Sequence, residues 1–449
     1  MRSLNVLLVT YSFPPAGGVG VLRAASLARY LPAEQIRLDV LTTRNASAVG
    51  ADPLLLEQIP SEVTVHRTLT LDLPFGFKKW IKKLITGSKP RPVAMANTAA
   101  PARPSFLKRV IGDLLLPDPQ VTWLPILVTA VRRIVRQRKI DLVLITVPPF
   151  SSVLLVEKLR KSFPSLAIVV DFRDEWLATT MDLVSFSRSD RARLLAHRAE
   201  ASAVAHATTV VAVTEAARRA IRARYPQEAE QKFQHIPNGF DCTRLPVATA
   251  PRTPSDRILL TYTGTLYGST DPTSLVEALL TLPAEVKSRF HIRFIGRIEE
   301  PRFRQSLLQL GEMVELVDFL PQNQAMALMS ESDYALLITH DPLNVSAKFY
   351  DYLGAGKPIL ALVHPEGEVR RLLEQLSAGW WVSSNDIAGI RRFFLDALDC
   401  SAALTTSFQP DLAGIGAYER QPIAQRYARL LHSIAASQRS ATVPPAEDR

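Results

Sequence analysis

The chain has 449 residues, 47% hydrophobic and 21% charged, a balance that excludes a disordered polymer and at this length asks for two or three domains. Its 53 Lys and Arg against 43 Asp and Glu leave a net charge of +10, which points to an anionic partner: nucleic acid, an anionic membrane or a phosphorylated substrate. Cys242 and Cys400 form no CxxC pair and suit a reducing compartment. The opening apolar run is too short for a signal peptide, and no run of about 18 apolar residues is present to span a bilayer. The expectation is a cytoplasmic protein, soluble or peripheral at the inner face of the membrane.

In chain order, LNVLLVT (4–10) is a continuous β-branched run of the kind buried on both faces of a parallel sheet. The turn cluster YSFPPAGGVG follows, then VLRAASLARYL at helical spacing and a second strand, IRLDVLTT (36–43). The pattern loosens from about Asn45 to Gln120, with many prolines and a basic segment. Strand and helix alternate again through ILVTAVRRIVRQRKI, DLVLITV, SSVLLVEKLRKSF, LAIVVDF, a helical stretch at 188–206, TTVVAVT, EAARRAIRARY and FQHIP. Asn238–Asp256, rich in proline, threonine and alanine without a period, reads as a linker. A second alternating set begins at RILLTYTGT, includes a helix near 301–311, and ends in an amphipathic helix at 417–437 and a disordered tail. Both halves read as doubly wound α/β domains.

In such sheets ligands lie beyond the carboxyl ends of the strands, where loop amides and helix N-termini favour phosphate. Pro14–Gly20 (PPAGGVG) and Thr263–Gly268 (TGTLYG) have that composition. The first is no dinucleotide fingerprint: it lacks the third glycine, and strand two ends in Thr42-Thr43-Arg44 rather than an acid. A tight turn using glycine for geometry alone is the other reading of it. With no Asp-x-Asp, HExxH or His/Cys cluster, no metal and no cofactor are expected.

Seven segments, in order over about 360 residues, resemble the family 4 group of retaining glycosyltransferases: FPPAGGVGVLR (13–23), TVPPFSS (146–152), DFRDEW (171–176), VTEAARRAI (213–221), IPNGFD (236–241), YTGTLYG (262–268) and SAKFYDYLGAGKPILAL (346–362). The resemblance implies the α/β GT-B architecture, two Rossmann-like domains with a cleft between. Residues 1–245 would bind the acceptor, with a basic amphipathic insert at about 70–115. Residues 256–415 would bind a nucleotide-sugar donor, 416–437 would cross back to the first domain, and 438–449 would be the tail. It also implies sugar transfer with retention to a lipid-linked or glycan acceptor, in surface polysaccharide or glycoconjugate synthesis. A non-catalytic scaffold and a nucleotide-sugar epimerase of the same fold are the alternatives.

Carried over residue by residue, the resemblance puts Asp351 on the donor ribose, where the family usually has glutamate, and Lys348 on the diphosphate. Gly264, Thr265, Gly18 and Arg23 would lie by the donor. Arg297, beside Gly296, resembles a base- or phosphate-facing turn, and Leu320 lies within a stretch that would bracket the nucleobase; packing is the other reading for both. Gly354 and Gly356 would serve packing. Arg173 and Asp174 are the catalytic candidates, Asp174 orienting the acceptor hydroxyl. Two positions depart from the family: Leu343 stands where an acid is usual, with Asp341 the nearest, and Ser269-Thr270-Asp271 replaces a loop that often supplies a cation.

GFKKWIKKLI (76–85) puts Phe77, Trp80 and Ile81 on one helical face, with Lys78, Lys79, Lys82 and Lys83 opposite. That is the pattern of an interfacial helix on an anionic membrane; a helix packed on its own core, with lysines in water, is the alternative. The basic residues follow no nucleic-acid-recognition motif.

Overall fold

The computed structural model describes residues 3–44, 51–70, 116–180, 190–245, 257–399 and 408–442. The lysine segment, Phe77 to Lys83, lies outside them. By contact the chain forms two compact units: Met1–Val213 with Ala220–His235 and Ala424–Arg449, and Thr214–Arg219 with Ile236–Ile423.

The first unit runs β1 (Leu4–Val9), α1 (Val19–Tyr30), β2 (Ile36–Thr43), α2 (Pro53–Glu57), β3 (Thr64–Thr68), α3 (Leu124–Arg138), β4 (Leu142–Val147), α4 (Leu154–Ser162), β5 (Ala167–Phe172), α5 (Asp190–His206), β6 (Thr209–Ala212), α6 (Glu215–Arg224) and β7 (Phe233–His235). Its seven strands pair in the order β3-β2-β1-β4-β5-β6-β7, all parallel. β4 and β5 are buried along their whole length, as continuous apolar runs between two helical layers must be. Right-handed crossovers place α1 and α2 on one face of the sheet and α3, α4 and α5 on the other. Strand order reverses between β1 and β4, so the loops after those strands flank the crevice where doubly wound sheets bind ligands.

The second unit continues with β8 (Ile258–Thr263), α7 (Thr273–Leu280), α8 (Ala284–Lys287), β9 (Phe290–Ile295), α9 (Pro301–Leu308), β10 (Val314–Val317), α10 (Gln322–Ser330), β11 (Tyr334–Thr339), α11 (Ala347–Gly354), β12 (Ile359–Val363), α12 (Glu368–Gln375), β13 (Gly379–Ser383), α13 (Ile387–Asp399) and α14 (Leu412–Gly416). Its parallel order is β10-β9-β8-β11-β12-β13, reversing between β8 and β11. Alternation along β11 feeds two cores: Tyr334, Leu336 and Ile338 join Phe290 and Phe394, whereas Ala335 and Leu337 join Phe349 and Tyr352. Each leucine so buried contributes about 1.5–3 kcal/mol.

The last helix, α15, spans Arg420–Thr442. It runs five residues past the end read from the sequence, because Gln438–Thr442 contains no glycine or proline to stop it. α9 stops at Leu308, short of the expected 311.

Candidate functional site

In the second unit the loop after β8 begins at Gly264, whose φ of +111° is a conformation that L side chains rarely adopt. Gly296, after β9, has φ +141°, and a Cβ there would lie 2.3 Å from the Gly264 carbonyl oxygen. The two turns therefore press backbone against backbone at the carboxyl edge of the sheet. Lys348, in the first turn of α11, lies over them: a Cβ on Gly264 would be 3.3 Å from its Nζ.

α11 is held in place by its neighbours. Phe349, Tyr350 and Leu353 are buried in the core, and the Tyr352 hydroxyl accepts from the Thr263 amide at 2.8 Å. Lys348 Nζ donates to the Tyr262 hydroxyl at 2.5 Å and sits 4.1 Å from that ring's centroid. The Tyr262 hydroxyl in turn donates to the Thr265 carbonyl at 3.0 Å. Thr265 thus takes part through its backbone. Among the described residues no carboxylate pairs with Lys348, and burial pulls its ammonium down to about 7. One residue before α11, the Ser346 hydroxyl is buried with no protein partner.

Asp351, one turn beyond Lys348, accepts from Gln322 Nε2 at 3.1 Å. Burial pushes its carboxyl up to about 6, against the opposing pull of Arg420, Gln322 and Arg244. Arg297 is exposed, its guanidinium 4.7 Å from the centroid of Phe319, itself 56% exposed. Leu320 follows in the loop before α10. The structure thus brings Gly264, Thr265 and Lys348 together, with Asp351 and Gln322 one turn along and the Arg297–Phe319 stack on the loops after β9 and β10.

At both departures from the family pattern the neighbouring acid is engaged in shaping its own loop. Asp341 accepts from the amides of Leu343 (2.8 Å) and Asn344 (3.0 Å) and from the Asn344 side chain, so its carboxylate shapes the loop before α11. Asp271 accepts from the Thr273 amide at 2.8 Å at the start of α7, and the Thr270 hydroxyl turns back to Tyr267.

In the first unit Gly18 caps α1 with φ +97° and open space beyond its Cα, so a ligand can approach the backbone there. Arg173 donates to the carbonyls of Gly20, Val147 and Pro148, joining the loops after β1, β4 and β5. Expected as a catalytic group, its guanidinium is taken up by backbone carbonyls and positions the glycine loop. Burial lowers its pKa, which the Asp174 charge opposes. Asp174 itself is half-buried beside it.

Arg23 corrects the sequence reading. Instead of reaching a donor, it is 7% exposed and bonds Asp171 twice, at 2.9 Å each. It also bonds the hydroxyl of Tyr427 on α15, which donates to Asp171 at 2.8 Å. Burial alone would lower its pKa; Asp171 and Tyr427 overcome that and raise it. Asp171 lies inside a buried strand, and such a carboxylate needs a cation inside the fold.

Sequence reasoning missed Tyr262, Gln322, Ser346 and Asp118. Tyr262 carried a signal, because a tyrosine in a buried strand needs a partner for its hydroxyl. Asp118 accepts from the Ser151 amide at 2.9 Å, and burial raises its pKa. Among the described residues no three His, Cys, Asp or Glu side chains converge as a metal-binding group, and no helix is long and apolar enough to cross a membrane.

Residues 91–244 match the family model described as Glycosyltransferase Family 4. Similar folds span nearly the whole chain. Sucrose-phosphate synthase from Thermosynechococcus elongatus aligns at a TM-score of 0.62 and 15% identity, covering 97% of this chain and all of that one. HepE from Anabaena, solved with UDP and glucose, aligns at 0.62 and 16%, covering 96% and 100%. The lipopolysaccharide outer core galactosyltransferase WaaB aligns at 0.58 and 13%, covering 96% and 99%. The chain has the GT-B fold, and its residues 91–244 are similar to Glycosyltransferase Family 4. No curated protein matches it in sequence.

Proposed function

We propose that this chain is a glycosyltransferase that takes its sugar from a nucleoside-diphosphate sugar held by the second unit. It transfers that sugar, with retention of configuration and without a metal, to a lipid-linked or glycan acceptor in surface polysaccharide or glycoconjugate synthesis. One observation carries the donor assignment: Lys348 is half-buried, has no carboxylate partner among the described residues, and lies over two turns that admit no side chain. A diphosphate supplies the missing anion and accepts from loop amides, from Lys348 and from the Ser346 hydroxyl. Asp351 binds the ribose, with Gln322 orienting its second oxygen, and the Arg297–Phe319 stack meets the base.

Breaking the sugar–phosphate bond leaves charge on the departing nucleoside diphosphate. Lys348 stabilises that charge in place. On the acceptor side Asp174 orients the attacking hydroxyl, and Arg173 holds the glycine loop that ends in Gly18. The solved complexes of HepE with UDP and with UDP-glucose support a uridine nucleotide, and WaaB supports a glycan acceptor.

The test is nucleotide release from UDP-glucose and related donors, with and without acceptor, and with chelator present. Lys348→Ala lowers kcat/KM about 10²–10³-fold and weakens UDP binding, while Asp174→Ala lowers kcat with little change in donor KM. Wild-type kinetics in both variants, or loss of activity on chelation, overturns the reading.

A further inference from the structure

The net charge of the chain is unevenly placed. α3, α4 and α5, the helices layered on one face of the first sheet, carry eleven Lys and Arg against three acids once Lys139, which ends α3, is included. α3 has no acid at all. Glu200 is buried and taken by Arg224, Glu157 pairs with Lys161, and Asp190 pairs with Arg193. Arg133, Arg136, Lys139, Lys158 and Arg198 are exposed, and among the described residues none has a carboxylate within ion-pair reach. α3 packs on α4 and α4 on α5, so these cations stand on one layer, with adjacent axes roughly 8–10 Å apart.

We infer that this helical face docks on an anionic lipid surface. Dispersed cations on a helical layer suit a plane of headgroups, where each adds a small increment; a single phosphate would require convergent donors. On α5, Leu194 is 50% exposed one turn before the exposed Arg198, an apolar side chain beside a long aliphatic stem that carries a cation, the combination that suits a lipid interface. Nucleic acid fits less well, because the three helices carry no Phe, Tyr or Trp for bases to stack on. The face is separate from the lysine segment at 76–85. It rests on the proposed function only in that a lipid-linked acceptor would be met at that surface.

The test is flotation of the full chain with phosphatidylcholine vesicles, with and without phosphatidylglycerol, at low and raised salt. The wild type floats with the anionic vesicles alone and is released by salt. Changing Arg133, Arg136, Lys158 and Arg198 together to Gln lowers partitioning by about tenfold or more, while the circular-dichroism spectrum and denaturant unfolding match the wild type and report an intact first unit. Undiminished flotation of that variant overturns the inference. So does lost binding to a DNA duplex with vesicle binding intact. Nucleotide release with a soluble acceptor is scored separately, so failure to dock and failure to transfer give different results.

Discussion

The carboxyl edges of the two sheets handle charge in opposite ways. In the first unit the DFRDEW run is largely satisfied from within: Asp171 by Arg23 and Tyr427, Arg173 by three backbone carbonyls, and Glu175 by Arg224 and the Ala178 amide. In the second unit Lys348 has a tyrosine hydroxyl, a ring face and, among the described residues, no acid. One edge is finished without a ligand, and in the proposed function the other is completed by the donor's diphosphate. Stability and donor binding should therefore separate on mutation, the first edge governing one and the second edge the other.

The largest expected effect breaks the finished edge. Arg23→Ala leaves Asp171 buried without its cation and should cost about 3–5 kcal/mol. Denaturant unfolding measures this, and a change well under 1 kcal/mol would remove the contrast. Next comes the pH response of the open edge. Burial pulls the Lys348 pKa from 10.5 to about 7, so between those values the unfolded chain binds more protons than the ligand-free protein, and ligand-free stability rises with pH. Donor binding runs the other way. The diphosphate needs the charged ammonium, so UDP affinity should fall about tenfold per pH unit above roughly pH 7. Lys348→Arg, which keeps its charge, should flatten that slope in calorimetric titration. The smallest effect belongs to Tyr262→Phe: Lys348 loses one neutral acceptor, worth about 1 kcal/mol, and UDP affinity should change only several-fold. A loss as large as that of Lys348→Ala would mean that the tyrosine touches the donor itself.

Much of the fold was legible because buried parallel strands write themselves as apolar runs. LNVLLV, LVLITV and YALLIT could be placed from composition alone. Lys348 and Asp351 were legible as candidates because SAKFYDYLGAGKP resembles a family pattern, and the glycines because they alone readily take φ values as large as those of Gly18, Gly264 and Gly296. Arg23 was misread for a physical reason. A helix-borne arginine near a glycine loop suggests phosphate, and nothing local indicates that Asp171 and Tyr427 will meet it 148 and 404 residues away in sequence. Asp341 was hidden differently: its spacing to Leu343 and Asn344 allows either a free acid or a loop cap, and only backbone geometry decides.

The Arg23–Asp171–Tyr427 triad also bears on how the chain is made. Tyr427 follows Asp171 by 256 residues. At about 5–20 residues per second, a ribosome takes roughly ten to fifty seconds to supply it. Throughout that interval the first sheet has its strands but lacks the hydroxyl that completes its buried ion pair. The amino-terminal unit therefore emerges first and is finished last, and a nascent chain halted before residue 427 would expose that unit in an incomplete state to chaperones and proteases.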